Sequence, residues 1–175
     1  LSSSERVLMA KNLLMNTAIA HHDTGAYNSY YGNGDYNYSS PRRQGAGVMD
    51  VYAAVVSPAV AYEKTSGIGK ISLKEMKDVT TFKVDVKNLS DEEVTYVPRG
   101  TVQTDLSDGE YNYLETQGVY LDGTLEEYGP NGLYSGEYPI YFSEDSLTIP
   151  AGETRTLTVT VDVTHGVDWY YGLPL

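Results

Sequence analysis

The hydrophobic pattern of this chain changes period near Lys70, and no single regular element can follow both halves. From about residue 68 onward the spacing is two, as a strand requires. Leu157, Val159, Val161 and Val163 alternate with Thr156, Thr158, Thr160 and Asp162; Phe82, Val84 and Val86 alternate with Lys83, Asp85 and Lys87. Each run has one apolar and one wetted face. Shorter strand candidates are Ile71 to Glu75, Val94 to Val97, Val102 to Thr104, Tyr138 to Phe142 and Leu147 to Ile149. Pro98-Arg99-Gly100 breaks parity, which favours an edge strand or a bulge. Turns fall at Asn88 to Asp91 and Pro150 to Glu153. Roughly seven short strands in about 100 residues make the pattern of a β-sandwich. Asp105 to Gly136 is rich in Gly, Tyr and acid, and reads as a long excursion between two strands.

Residues 1 to about 64 read as helices joined by a polar loop. Ser2-Ser3-Ser4-Glu5 offers a capping box, in which hydroxyl and carboxylate satisfy the first free amides of a helix. Glu5 to Ala18 lacks Gly and Pro, and Val7, Leu8, Ala10, Leu14, Met15 and Ala18 form an apolar stripe. Met9 and Leu13 fall on the opposite side, so this helix is built to be covered from two sides, by more protein than the chain supplies. A Gly, Tyr and Asn-rich loop runs from His21 to Ser40. Asp50 then caps a short helix, Val51 to Val56, which Pro58 ends. Glu63 to Gly69 is polar and Gly-bearing, a linker by composition. The expected organisation is a helical segment, 1–64, and a sandwich domain, 68–175.

Charge and composition narrow the class of function. There are 12 basic and 24 acidic side chains, a net charge of −12, which disfavours nucleic acid as a partner. No apolar run reaches the ~20 residues of a membrane helix, so membrane insertion is not expected, and no charged-then-apolar leader is visible. Zero cysteines exclude disulfides, thiolate metal sites and cysteine nucleophiles. An acidic, cysteine-free chain with 17 Tyr against 2 Phe and 1 Trp fits a secreted bacterial surface protein. Its start at Leu1 suggests an excised or processed segment.

Several short motifs imitate functional sites. Asp23-Thr24-Gly25 has the form in which proteases present a catalytic Asp, but no apolar strand precedes it to hold the carboxylate rigid, so a loop turn is the better reading. His21, His22 and Asp23 lack a partner Glu or His at helical spacing; two histidines at a helix end complement its dipole. His165 stands alone near a strand end. Asp105, Ser107, Asp108, Gly109 and Glu110, and also Asn33, Asp35 and Asn37, are oxygen-rich turns without the full calcium-loop spacing, and read as solvated acidic turns. Gly67-Ile68-Gly69-Lys70 lacks the hydroxyl residue that a phosphate loop carries after its Lys. Trp169, Tyr170 and Tyr171 suit either an aromatic recognition patch or the plug of a sandwich end. Asn37-Tyr38-Ser39 and Asn88-Leu89-Ser90 are formal glycosylation acceptors. No catalytic, cofactor-binding or metal residue is assigned, and no cofactor.

Three stretches carry a resemblance. Lys11-Asn12-Leu13-Leu14-Met15-Asn16-Thr17-Ala18 resembles the helix after the nucleophile helix of subtilisin-like serine proteases. Ser40 to Val55, with Gln44-Gly45-Ala46-Gly47 leading into an Asp-capped helix, resembles that family's closing motif. Phe82 to Asn88, Thr101 to Asp105 and Leu147 to Gly152 resemble the fibronectin type III-like domain that follows the catalytic domain in cell-envelope subtilases of the lactocepin and complement-cleaving type. The resemblance spans nearly the whole chain, with Leu106 to Tyr138 as an insertion.

What the resemblance implies is a mainly β chain: a fibronectin type III-like sandwich preceded by the C-terminal remnant of an α/β subtilase domain. The parent would be a secreted or wall-attached serine endopeptidase using Asp, His and Ser. Neither a Gly-Thr-Ser-Met-Ala nor a His-Gly-Thr-His box is present, so the triad is expected upstream of Leu1 and this chain is expected to be inactive. The sandwich would brace the catalytic domain or aid access of protein substrates. Expected partners are that upstream domain and the parent's protein substrates; without the upstream domain, the first helix is expected to pair with a second copy or to dock on the sandwich. The alternative is a freestanding extracellular adhesion or ligand-binding module that presents residues 105–136.

Overall fold

A computed structural model of the chain describes residues 1–21, 44–73, 77–107, 114–121 and 140–162, with 101–107 and 114–121 described at the backbone only. The chain forms two compact units, one of Leu1–Ile19, Ala46–Pro98 and Phe142–Thr160, the other of the remainder. The fold is mainly β and antiparallel, as the period-two pattern predicts.

Helix α1 spans Ser3–Asn16. The Ser2 hydroxyl accepts from the Glu5 amide at 3.3 Å and the Ser2 amide donates to Glu5 Oε2 at 2.6 Å, completing the expected capping box. Such a cap contributes about 1 kcal/mol. At the other end Thr17 donates through both its amide and its hydroxyl to the Leu13 carbonyl, and the helix stops. The expected apolar stripe holds only in its second half. Val7, Leu8 and Ala10 are exposed, Leu14, Met15 and Ala18 are half-buried, and the one buried residue of α1 is Asn12. Met9 and Leu13, opposite the stripe, are half-buried as well, so the helix is covered on either side of Asn12. The physical reason is hydrogen bonding: Asn12 meets main-chain groups that no apolar side chain could satisfy.

Beyond α1, Ile19 and Val48 exchange amide–carbonyl bonds of 2.8 Å as an isolated antiparallel bridge. Gly45 and Gly47 reach it at φ 64° and 120°, where a side chain would be strained. Helix α2, Val51–Val56, starts where Asp50 Oδ1 accepts from the Ala53 amide at 2.8 Å. It ends at Ser57, extended before Pro58.

Strand β1, Ala59–Glu63, follows at once and is absent from the expected elements. Its register on β2, Val79–Asn88, runs from Ala59↔Asn88 to Glu63↔Val84. With β8, Thr154–Asp162, and β6, Ile140–Phe142, they form a four-stranded sheet in the order β1-β2-β8-β6. Thr81 meets Thr160 at 2.9 Å and Asp85 meets Thr156 at 2.6 Å, which sets β2 and β8 antiparallel. A two-stranded sheet pairs β3, Val94–Tyr96, with β7, Leu147–Ile149, in the register Val94↔Ile149 and Tyr96↔Leu147. The buried apolar side chains come from both sheets: Val60, Leu157, Val159 and Val161 from the larger, Leu147 and Ile149 from the smaller. That is a sandwich core, each such side chain contributing roughly 1.5–3 kcal/mol.

Strands β4, Gly100–Ser107, and β5, Leu114–Leu121, pair along their whole length from Gly100↔Leu121 to Ser107↔Leu114. Two expectations change here. Pro98-Arg99-Gly100 does not lie mid-strand: β3 ends at Tyr96 and β4 opens at Gly100, each an edge strand of a two-stranded sheet, because Pro98 has no amide to offer a ladder. The start of the excursion, where the composition predicts no strand, holds the end of β4 and the whole of β5. Ile71 to Leu73 is not a strand, and the rest of that candidate lies outside the described residues.

Candidate docking surface

The expected linker is a fully bonded turn. Glu63 Oε1 and Oε2 accept from the amides of Thr65 and Ser66 at 2.9 and 2.5 Å, and the Glu63 carbonyl accepts from Gly67 at 2.9 Å. These donors hold the Glu63 carboxyl down at about 2, the Thr65 amide contributing most. Asn12 Nδ2 donates to the Gly67 carbonyl and Asn12 Oδ1 accepts from the Gly69 amide, both at 2.8 Å. Gly69 therefore has no amide left for an anion, which disposes of the phosphate-loop imitation. The sequence marks this role of Asn12 only by its pairing with Asn16, one helical turn on, on the polar side of the helix beside Met9 and Leu13.

The other imitations fare as follows. The His21 amide donates to Gln44 Oε1 at 2.6 Å. His22, Asp23, Thr24, Gly25, the Asn33, Asp35 and Asn37 turn, Asp108 to Glu110, His165, and Trp169 to Tyr171 lie outside the described residues, as does the acceptor Asn37. Asp105 and Ser107 belong to β4. Asn88, the other formal acceptor, is fully buried and bonded, so the folded chain hides it from a glycosylating enzyme. Among the described residues no cluster of His, Asp and Glu is placed to hold a metal, and no helix is long and apolar enough to cross a membrane.

What the structure does present is apolar surface. Ten of the sixteen large apolar side chains left exposed among the described residues lie in 1–21 and 44–56, far more than that share of the chain would hold by chance. Helix α2 buries only Ala54, while Tyr52 and Val55 are each 78% exposed and Val51 and Val56 more than half. Met49, Val48 and Ile19 are similarly open. On α1, Val7 and Leu8 share one open face with Ser3, Ser4 and Lys11. A short helix apolar on all sides is stable only when covered. Among the described residues of the sandwich there is no such concentration: the large apolar side chains exposed there are Val79, Leu89, Tyr96, Val97 and Tyr141.

Residues 71–171 match the family described as Fn3-like domain. C5a peptidases of Streptococcus pyogenes serotypes M1 and M18 are each 29% identical to this chain over 165 residues, 94% of its length. The chain spans about 12% of the length of these relatives. Their similarity extends well before residue 71, so it takes in the helical segment as well as the sandwich.

Proposed function

The chain belongs to the Fn3-like domain family, and from that premise we propose that it is a non-catalytic part of a cell-surface, subtilisin-like serine endopeptidase. In this reading α1 and α2 close the end of the peptidase domain, and β1 together with residues 68–175 forms the Fn3-like sandwich behind it. The observation that carries this reading is the open apolar surface of α1 and α2 beside a finished sandwich core. An upstream catalytic domain of the same polypeptide would cover that surface, and the likeness to C5a peptidases across both parts supports such a parent.

In this arrangement the sandwich braces the catalytic domain or guides protein substrates to it, outside the cell, secreted or wall-attached. The sequence carries neither of that family's nucleophile and histidine boxes, and residues 1–175 by themselves are expected not to hydrolyse peptides. Without its upstream neighbour, the first helix pairs with a second copy.

A fluorophosphonate probe tests the reading. The full-length product should be labelled at serine, and residues 1–175 should be neither labelled nor able to cleave casein. Casein cleavage by this chain, or a full-length product that takes no label, would overturn it.

A further inference from the structure

We propose that Glu63–Gly69 is a rigid joint keyed by Asn12, which fixes α1 on the outer edge of β1 so that helix and sheet reorient as one body. Its composition is that of a flexible tether, yet every amide in it has an acceptor. Glu63 donates to the Ile68 carbonyl at 2.8 Å and Lys64 to the Lys83 carbonyl at 3.0 Å. Thr65 and Ser66 donate to the Glu63 carboxylate, Gly67 to the Glu63 carbonyl, Ile68 to Ser66 Oγ and Gly69 to Asn12 Oδ1. Seven consecutive amides so engaged leave little freedom for a hinge, since each torsion change breaks a bond.

The key is polar and geometrically selective. Asn12 is only 3% exposed, and its amide group pairs with Gly67 and Gly69 through one donor and one acceptor, as a neighbouring strand would. One turn later Asn16 Oδ1 accepts from the Ala61 amide of β1 at 2.7 Å. An apolar contact tolerates sliding, whereas three hydrogen bonds to three main-chain atoms specify one position. The fit is close. A Cβ on Gly69 would lie 3.1 Å from Asn16 Nδ2 and 3.3 Å from the Asn12 Cα, so any larger residue must push the helix or its side chains back by a few tenths of an ångström. Gly67, at φ 70°, turns the chain to present its carbonyl. Asn12 and Asn16 are positioning residues, and their role holds whether or not the body upstream is a peptidase.

Absence of cysteine makes the test direct. Arg6→Cys on α1 and Lys83→Cys on β2 would carry spin labels in the 175-residue chain, with the distance distribution read by pulsed electron resonance. A narrow single distribution is expected, which Asn12→Ala broadens while exchange of the Gly69 amide accelerates about tenfold and amides of Leu157 and Val159 stay protected. A broad distribution in the parent chain overturns the proposal, as does a narrow one that survives Asn12→Ala. Should Asn12→Ala also unprotect β8, Gly69→Ala decides: broadening with the sheet intact upholds the joint, and an unchanged width sinks it.

Discussion

Asn88 donates its side-chain amide to the main-chain carbonyl of Ile149 at 3.0 Å, and both residues are fully buried. The bond joins the last residue of β2 to the last of β7, linking one sheet of the sandwich to the other. The same nitrogen donates to the carbonyls of Glu92 at 2.6 Å and Pro150 at 3.2 Å, while Oδ1 accepts from the amide and hydroxyl of Ser90. One side chain thus closes both turns that the sequence announces.

Asn88→Ala should therefore cost about 2–4 kcal/mol, because it strands buried acceptors rather than removing surface. Urea unfolding followed by circular dichroism would show this as a lower midpoint. A change below about 0.5 kcal/mol would mean that water reaches those carbonyls.

In the core, Ile149→Ala should lower stability by about 2–5 kcal/mol and Ile149→Val by about 0.5–1.5 kcal/mol, the larger loss including an unfilled cavity. The two midpoints, measured side by side, give the gradient. Equal losses would contradict tight packing around this side chain.

The depressed Glu63 carboxyl gives a sign to the acid response. Its charged form is favoured in the folded chain, so its contribution is complete above the ordinary value of 4.5 and fades as pH falls toward about 2. Glu5, lowered chiefly by the Ser2 amide, acts in the same direction. Glu63→Gln should flatten the decline in urea midpoint between pH 4.5 and 2, and carboxyl carbon resonances should titrate lowest at Glu63. A normal Glu63 titration would refute the turn geometry.

Val7→Lys and Val55→Lys remove apolar surface that no described residue covers. Each should leave unfolding stability within about 0.5 kcal/mol of the parent and reduce self-association in sedimentation velocity. A large loss of stability would show that these side chains are packed within the chain.

What could be read from the chain follows how local each signal is. The capping box, the Asp50 cap, β8 and the turn at Pro150 to Glu153 depend on neighbours within a few positions, and all are present. Strand β1 was illegible because Ala59–Glu63 carries two alanines and exists through its pairing with β2. Strand β5 escaped for a like reason, its Thr116-Gln117-Gly118 centre having no alternation. The candidate surface was half legible. Apolar side chains on two sides of α1 announced an uncovered face, but which face turns inward was decided by Asn12 and the backbone of residues 67–69, some 55 positions away.

The pairing of Asn16 with Ala61 and of Glu63 with Ile68 has a consequence for assembly. Both amides point away from β2, and both are spent, so the β1 margin of the sheet offers no free ladder to an incoming strand. Among the described residues, the margin of this sheet left for lateral growth, whether by aggregation or by capture of an extended peptide, is the opposite one at β6.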